Sequence, residues 1–160
     1  MLFRSQFTRA LKESGGRITE CRMSTLGSEF CALILVAGSW DAIAKIEDLL
    51  PRLEERLSLS VRARRTEPAQ MANNLMPYAV DVVSISNTGI VYEIVKFFAA
   101  NRISIHDLLT NTYNAANTGT LMISLHLTIN VPAGISIAAL RGDFMDFCDQ
   151  QNLEIGRAHV

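Results

Sequence analysis

Gly15-Gly16-Arg17-Ile18-Thr19-Glu20 and Asn101-Arg102-Ile103-Ser104-Ile105-His106-Asp107 are two renderings of one passage, the end of a helix running into a strand. Laying Ile18-Thr19-Glu20 on Ile105-His106-Asp107 superposes the surrounding elements at an offset of 87 residues, with extra residues in the later hairpin. Before the first passage, Phe7, Ala10 and Leu11 recur at helical spacing from Gln6 to Ser14, and Gly15-Gly16 supplies the stop. After it, Arg17 to Leu26 is a strand, Gly27-Ser28 a turn, and Phe30 to Ala37 an unbroken apolar run. Such a run suits a strand in the middle of a covered sheet.

Ser39 is an N-cap with Asp41 in the first turn, and Ile43, Ile46, Leu49 and Leu50 form one helical stripe. Pro51 predicts a bend or restart. Leu57, Leu59, Val61 and Ala63 then alternate with Ser58, Ser60, Arg62 and Arg64, the pattern of a half-exposed strand.

The second passage lies in the same setting. Tyr78 to Ser86 is a strand, punctuated by Ser86-Asn87-Thr88-Gly89, and Ile90, Val91, Ile94, Val95, Phe97 and Phe98 make an apolar helix. Ile103 to Thr110 and Thr120 to Asn130 are strands around a polar loop, Asn111 to Gly119. Pro132-Ala133-Gly134 turns the chain, and Ser136 caps a last helix carrying Ile137, Leu140, Phe144, Phe147 and Cys148. The two halves are therefore α-β-β-α-β and β-α-β-β-α, one βαββαβ pattern cut at opposite ends. The fold class is α+β, two ferredoxin-like repeats, the first lacking its N-terminal strand and the second its C-terminal strand. Domain boundaries follow at 6–65 and 78–154, joined by a linker over 66–77 that holds Pro68, Asn73, Asn74 and Pro77.

Composition narrows the function. With 49% apolar and 19% charged residues, the 160-residue chain packs a core. Fifteen Lys and Arg against sixteen Asp and Glu leave a net charge of −1, without the basic footprint of direct nucleic-acid binding. No apolar run is long enough for a membrane span, and no signal peptide is visible. Cys21, Cys31 and Cys148 fit neither a disulfide framework nor a zinc site, and are expected as three buried hydrophobes in a cytoplasmic protein. His106 and His126 lie on neighbouring strands, but two ligands do not make a metal site. No paired carboxylates, phosphate loop or triad suggests an enzyme, and no cofactor is expected. Arg62, Arg64 and Arg65 form a basic strip expected to solvate a sheet edge, and Trp40 is expected to pack at a helix start. Met1 to Ser5 and Ile155 to Val160 match translated sequencing-adapter strings, so the gene is expected to run further at both ends.

Met23-Ser-Thr-Leu-Gly-Ser-Glu-Phe30, followed by Leu33-Ile-Leu-Val-Ala-Gly-Ser-Trp40-Asp-Ala-Ile43, resembles the glycine cleavage system transcriptional repressor family, built of ACT domains. Its L-G-x-E-F hairpin and G-S-W helix start both stand here. The resemblance implies a non-enzymatic regulator that senses a small amino acid, glycine first. It would act through a LysR-type transcriptional activator rather than on DNA. Separately, the open edges of ferredoxin-like units lead to an expected pairing with a second copy, a homodimer, that covers them. ACT pairs also regulate longer metabolic enzymes, which is the alternative implied. The ACT fingerprint D-x-P-G-I-V falls on Ser86-Asn87-Thr88-Gly89-Ile90-Val91, with Ser86 for the Asp and Thr88 for the Pro. A carboxylate would rest on the N–H groups of Gly89, Ile90 and Val91, helped by the helix dipole. Its ammonium would need Asn87 or Asp107, and a pocket without room beyond Cα would select glycine.

Overall fold

The computed structural model describes residues 2–70 and 74–159; Met1, Val160 and the linker positions 71–73 lie outside them. The chain divides into two units, residues 1–68 and 69–160.

The first unit comprises α1 (Leu2–Glu13), β1 (Arg17–Leu26), β2 (Glu29–Ala37) and α2 (Trp40–Leu57). β1 and β2 form an antiparallel two-stranded sheet, closed by a two-residue turn in which Gly27 takes φ 61°. Leu11 of α1 and Ala42, Ile46 and Leu53 of α2 are its buried side chains. As expected, Ser39 caps α2, accepting from the Ala42 N–H at 3.2 Å. α2 runs on through Pro51 without restarting. A proline inside a helix costs about 3 kcal/mol, but Ile46 and Leu53, buried on either side of it, hold both turns to the core.

The second unit comprises β3 (Leu75–Ile85), α3 (Ile90–Ala100), β4 (Ser104–Asn114), β5 (Leu121–Pro132), α4 (Ile137–Gln150) and β6 (Glu154–His159). The strands lie in the order β4-β5-β3-β6, every pair antiparallel. One sheet face, led by Val82, Leu125, Leu127 and Ile129, packs on Ile94 and Phe98 of α3 and Phe144 and Cys148 of α4. Phe97, Phe98, Phe144 and Phe147 meet there, with the Phe97 and Phe147 ring centres 4.9 Å apart. Both helices thus cover one face and leave the other open.

The repeat is visible in irregularities that periodicity does not show. The β1–β2 register shifts between Ile18 and Glu20, and the β4–β5 register shifts at the matching place, between Ile105 and Asp107. The four helices among the described residues end alike: a residue with positive φ (Gly15, Ser58, Arg102, Asn152) is followed by an N–H that reaches back five residues. Those bonds run from Gly16 to Leu11, Leu59 to Glu54, Ile103 to Phe98 and Leu153 to Cys148.

Several expectations need correction. Residues 59–62 alternate as read, with Leu59 and Val61 half-buried and Ser60 and Arg62 exposed, but Ala63 is exposed too and the segment forms no strand. A strand needs a ladder partner, and among the described residues the first unit has no counterpart of β3 for them to join. The segment is held by α2 instead. The Val61 N–H donates to the Glu54 carboxylate, and Arg65 donates twice to Glu47 Oε1, at 3.0 and 2.6 Å. The Arg65 guanidinium lies 4.1 Å from the ring centre of Trp40, which is otherwise 74% exposed rather than a packing anchor.

In the second unit a fourth strand, β6, is present where the sequence pattern shows none. The chain leaves α4 through Asn152 in the left-handed conformation and returns along the free edge of β3, pairing Glu154 with Val83 and His159 with Ala79. Ladder bonds are main-chain bonds, so the lack of alternation does not prevent them. The adapter-like segments accordingly lie within elements, Leu2–Ser5 in α1 and 155–159 in β6. β3 also begins at Leu75, inside the expected linker, because Leu75 to Pro77 pair with Asn130 to Pro132. Asn111 to Asn114 continue β4 opposite Leu121 to Ser124, leaving a hairpin loop of residues 115–120.

Candidate functional site

The turn from β3 into α3 carries the candidate ligand residues. The Ser86 N–H donates to the Leu121 carbonyl at 2.9 Å, which ties the end of β3 to the β4–β5 hairpin. Asn87 then folds over the turn: its Oδ1 accepts from the Gly89 N–H at 3.0 Å and its Nδ2 donates to the Ile85 carbonyl at 3.4 Å. Asx turns of this kind are why Asn recurs ahead of helices. Gly89 is the N-cap of α3, and its carbonyl accepts from the Glu93 N–H at 3.0 Å. The N–H groups of Ile90, Val91 and Tyr92, one turn earlier, have no intrahelical acceptor. They form the positive end of the helix, with Glu93 in the same turn.

The residues separate by role. Asn87 and Thr88 are exposed, Val91 is at the surface, and the Ile90 side chain is buried in the core, so Ile90 could meet a ligand only through its backbone. Gly89 has φ −112°, which any residue adopts. A Cβ there would find only Asn87 Oδ1, at 3.9 Å. Neither conformation nor packing therefore demands glycine at this position. The Gly89 N–H is already held by Asn87, so a carboxylate would use Ile90 and Val91, with Tyr92 as a third donor that the spacing did not single out.

Asp107 is not part of this turn. It pairs with Thr128, which pairs with Ala79, whereas the turn begins beyond Ile85. Six residues of strand, about 20 Å, lie between those rows. Leu108 packs towards the helices, so Asp107, its neighbour in the strand, faces the opposite side of the sheet. That open side also carries a hydrogen bond between His126 Nδ1 and the Asp81 carboxylate. Among the described residues, no group of three or more possible metal ligands is gathered.

The cysteines differ from one another. Cys21 and Cys31 are exposed and only Cys148 is buried. Cys148 lies in the core, and burial, with Asp149 beside it, pushes its thiol up to about 11, which makes it a poor nucleophile. Two hollows of about 340 and 560 Å³ lie on the first unit, along α1 at Arg9 and Glu13. Arg9 and Glu13 are paired to each other there at 2.8 Å. No helix among the described residues is long and apolar enough to cross a membrane.

Comparison with known proteins places these features. Residues 4–64 match the ACT domain family. Over 147 residues, 92% of this chain and 77% of the relative, the sequence is 26% identical to the glycine cleavage system transcriptional repressor of Escherichia coli (strain K12). A crystal structure provisionally named as such a repressor superposes with a TM-score of 0.73 at 23% identity, covering 98% of this chain and 88% of that one. An unknown protein from Galdieria sulphuraria superposes with a TM-score of 0.76 at 19% identity, covering 99% and 91%. Residues 4–64 thus resemble the ACT domain, and over most of its length the chain is similar to the glycine cleavage system transcriptional repressors and shares the fold of a structure provisionally named as one.

Proposed function

We propose that this chain is a non-enzymatic cytoplasmic regulator that senses a small amino acid, glycine first, and modulates transcription of glycine-cleavage genes through a protein partner. The observation that carries this reading is the 26% identity to the Escherichia coli repressor, sustained over nine-tenths of the chain. The net charge of −1 agrees with a regulator that leaves DNA contact to its partner, a LysR-type activator. In the second unit the ligand carboxylate would rest on the N–H groups of Ile90 and Val91, beside Asn87, Thr88 and Gly89. Asp107 has no part in it. For the ligand to act as a signal it must bind one state of the protein, or of its complex, more tightly than the other.

Thermal unfolding of the chain against glycine, serine, alanine and the branched-chain amino acids tests this. A ligand at 100 times its Kd stabilises by about 2.7 kcal/mol, several degrees for a domain of this size. The expected result is a rise with glycine that disappears in Gly89→Val, a variant that the open space around Gly89 lets fold. No shift with any amino acid would remove the sensing part of the reading. A shift that survives in Gly89→Val would move the ligand elsewhere.

A further inference from the structure

On β2 and β5 the open faces differ in chemistry at matching positions, although Leu109 and Ile85, on other strands of the second unit, are exposed on its open side. The register shifts align β2 on β5 at an offset of 93, Leu35 on Thr128 and Leu33 on His126, with Cys31 on Ser124. The second unit therefore shows Ser124, His126 and Thr128 to its open side, and the first shows Cys31, Leu33 and Leu35. Leu33 is 75% exposed and Leu35 41%. A strand apolar on both faces is one that is covered on both, yet α1 and α2 account for only one.

The residues beside the leucines indicate what covers them. On β1, Arg22 pairs with Leu33 and Glu20 with Leu35, so two adjacent rows of the open face read Arg–Leu and Glu–Leu. A two-fold axis between those rows, parallel to the ladder bonds, stacks each strand on its own copy and exchanges the rows. Leu33 then meets Leu35 of the second copy, and Arg22 meets its Glu20. Such a surface is complementary to itself in both shape of pattern and charge, as an isologous contact requires. Arg22 already makes a contact within its own chain, so the exchange gives direction more than strength.

We infer that the open face of the β1–β2 hairpin is a self-association surface, on which a second copy of this chain docks face to face with Leu33 on Leu35 and Arg22 on Glu20. A face two strands wide is smaller than the ~800 Å² per partner of a standard interface, which puts this dimer among the weak, concentration-dependent ones. The inference is independent of which ligand the chain binds.

Sedimentation equilibrium of the full chain up to about 100 µM at low salt tests it. The expected result is a reversible dimer that Leu33→Lys with Leu35→Lys weakens by roughly tenfold or more, with the circular dichroism unchanged because both side chains are exposed. Arg22→Glu alone weakens the dimer by setting a second carboxylate against Glu20 of the other copy, and adding Glu20→Arg restores it. A chain that stays monomeric overturns the inference, whatever other protein covers the leucines. So does a dimer indifferent to the leucine changes. Loss of dimer in Arg22→Glu without rescue by the reciprocal swap overturns the two-fold register.

Discussion

β5 and β2 hold the same place in their units, yet the more apolar of the two is the more exposed. Ile123, Leu125, Leu127 and Ile129 are buried, while their counterparts Phe30, Ala32, Ile34 and Val36 are half-buried or exposed. β5 lies between β4 and β3 beneath two helices, whereas β2 has one strand neighbour. Hydropathy records the cover a strand is suited to, and the neighbours decide how much it receives. A two-stranded sheet is marginal on its own account, and a four-stranded one with a packed face is not. The second unit should accordingly hold its structure more firmly than the first.

The thiols give this contrast its largest readout. Cys21 and Cys31 of the first unit should react with a thiol reagent at once, and Cys148 more slowly by a factor on the order of 10³ or greater, because it must wait for unfolding. Three thiols reacting together would end the comparison. Cys148 also has a sign in pH. Its folded value, about 11, lies above the ordinary 9.0, so the neutral thiol favours the folded state. That contribution is complete below pH 9 and is lost as pH rises from 9 through 11. The urea midpoint should therefore fall more steeply over this range than it does in Cys148→Ala; equal slopes would refute the assignment.

Core truncations come next. Leu127→Ala in β5 should cost about 2–5 kcal/mol, and Ile34→Ala at the matching position of β2 nearer ~1 kcal/mol, measured by chemical unfolding. Equal losses would mean that β2 is as well covered as β5. Glycine sharpens the picture from the other side. Gly16, which corresponds to the buried Ile103, sits where a Cβ would come within 2.6 Å of Ile46 Cδ1, 2.9 Å of Val36 Cγ1 and 3.1 Å of the Leu11 carbonyl. The Ile46 tip can turn away, but the main chain of Leu11 cannot, so Gly16→Ala should destabilise by about 1–3 kcal/mol. An unchanged midpoint would show that the first unit's core is loose enough to absorb a methyl group.

Much of this is legible in the chain itself, and the omissions share a cause. Ser39 and Ser136 read as caps and are caps, each accepting from the N–H three residues on, because capping is local. The offset between Ile18 and Ile105 is readable because repeated helix ends and strand starts are local too. The turn Ser86 to Gly89 is recognisable from its residue types, and its Asn87–Gly89 bond is one those types make habitually. Strand pairing is not local. Residues 59–62 alternate yet lack a partner, Leu57 belongs to α2 instead, and Glu154 to His159 show no pattern yet find one. The expected place of Asp107 fails for the same reason, since alternation does not reveal which row of a sheet a residue occupies or how far that row lies from a given helix.

The smallest effect concerns the segment that alternates without pairing. Residues 59–65 are tied to α2 by the Glu54 carboxylate on the Val61 N–H and by Arg65, which both pairs with Glu47 and covers Trp40. The Arg65–Glu47 pair is partly open to solvent, where such pairs contribute little, and cation–π stacking at exposed sites adds about 0.5–1 kcal/mol. Arg65→Ala should therefore lower global stability by less than about 1 kcal/mol. Its local effect should be larger, because the segment has no ladder to fall back on: amide exchange at 59–64 should quicken and Trp40 fluorescence should shift towards that of a solvated indole. In Arg65→Lys the charge remains but the planar stack is lost, so most of the fluorescence change should persist. If Arg65→Ala left both exchange and fluorescence untouched, α2 would not be what holds this segment, and the alternation of Leu59 and Val61 would need a different partner to explain it.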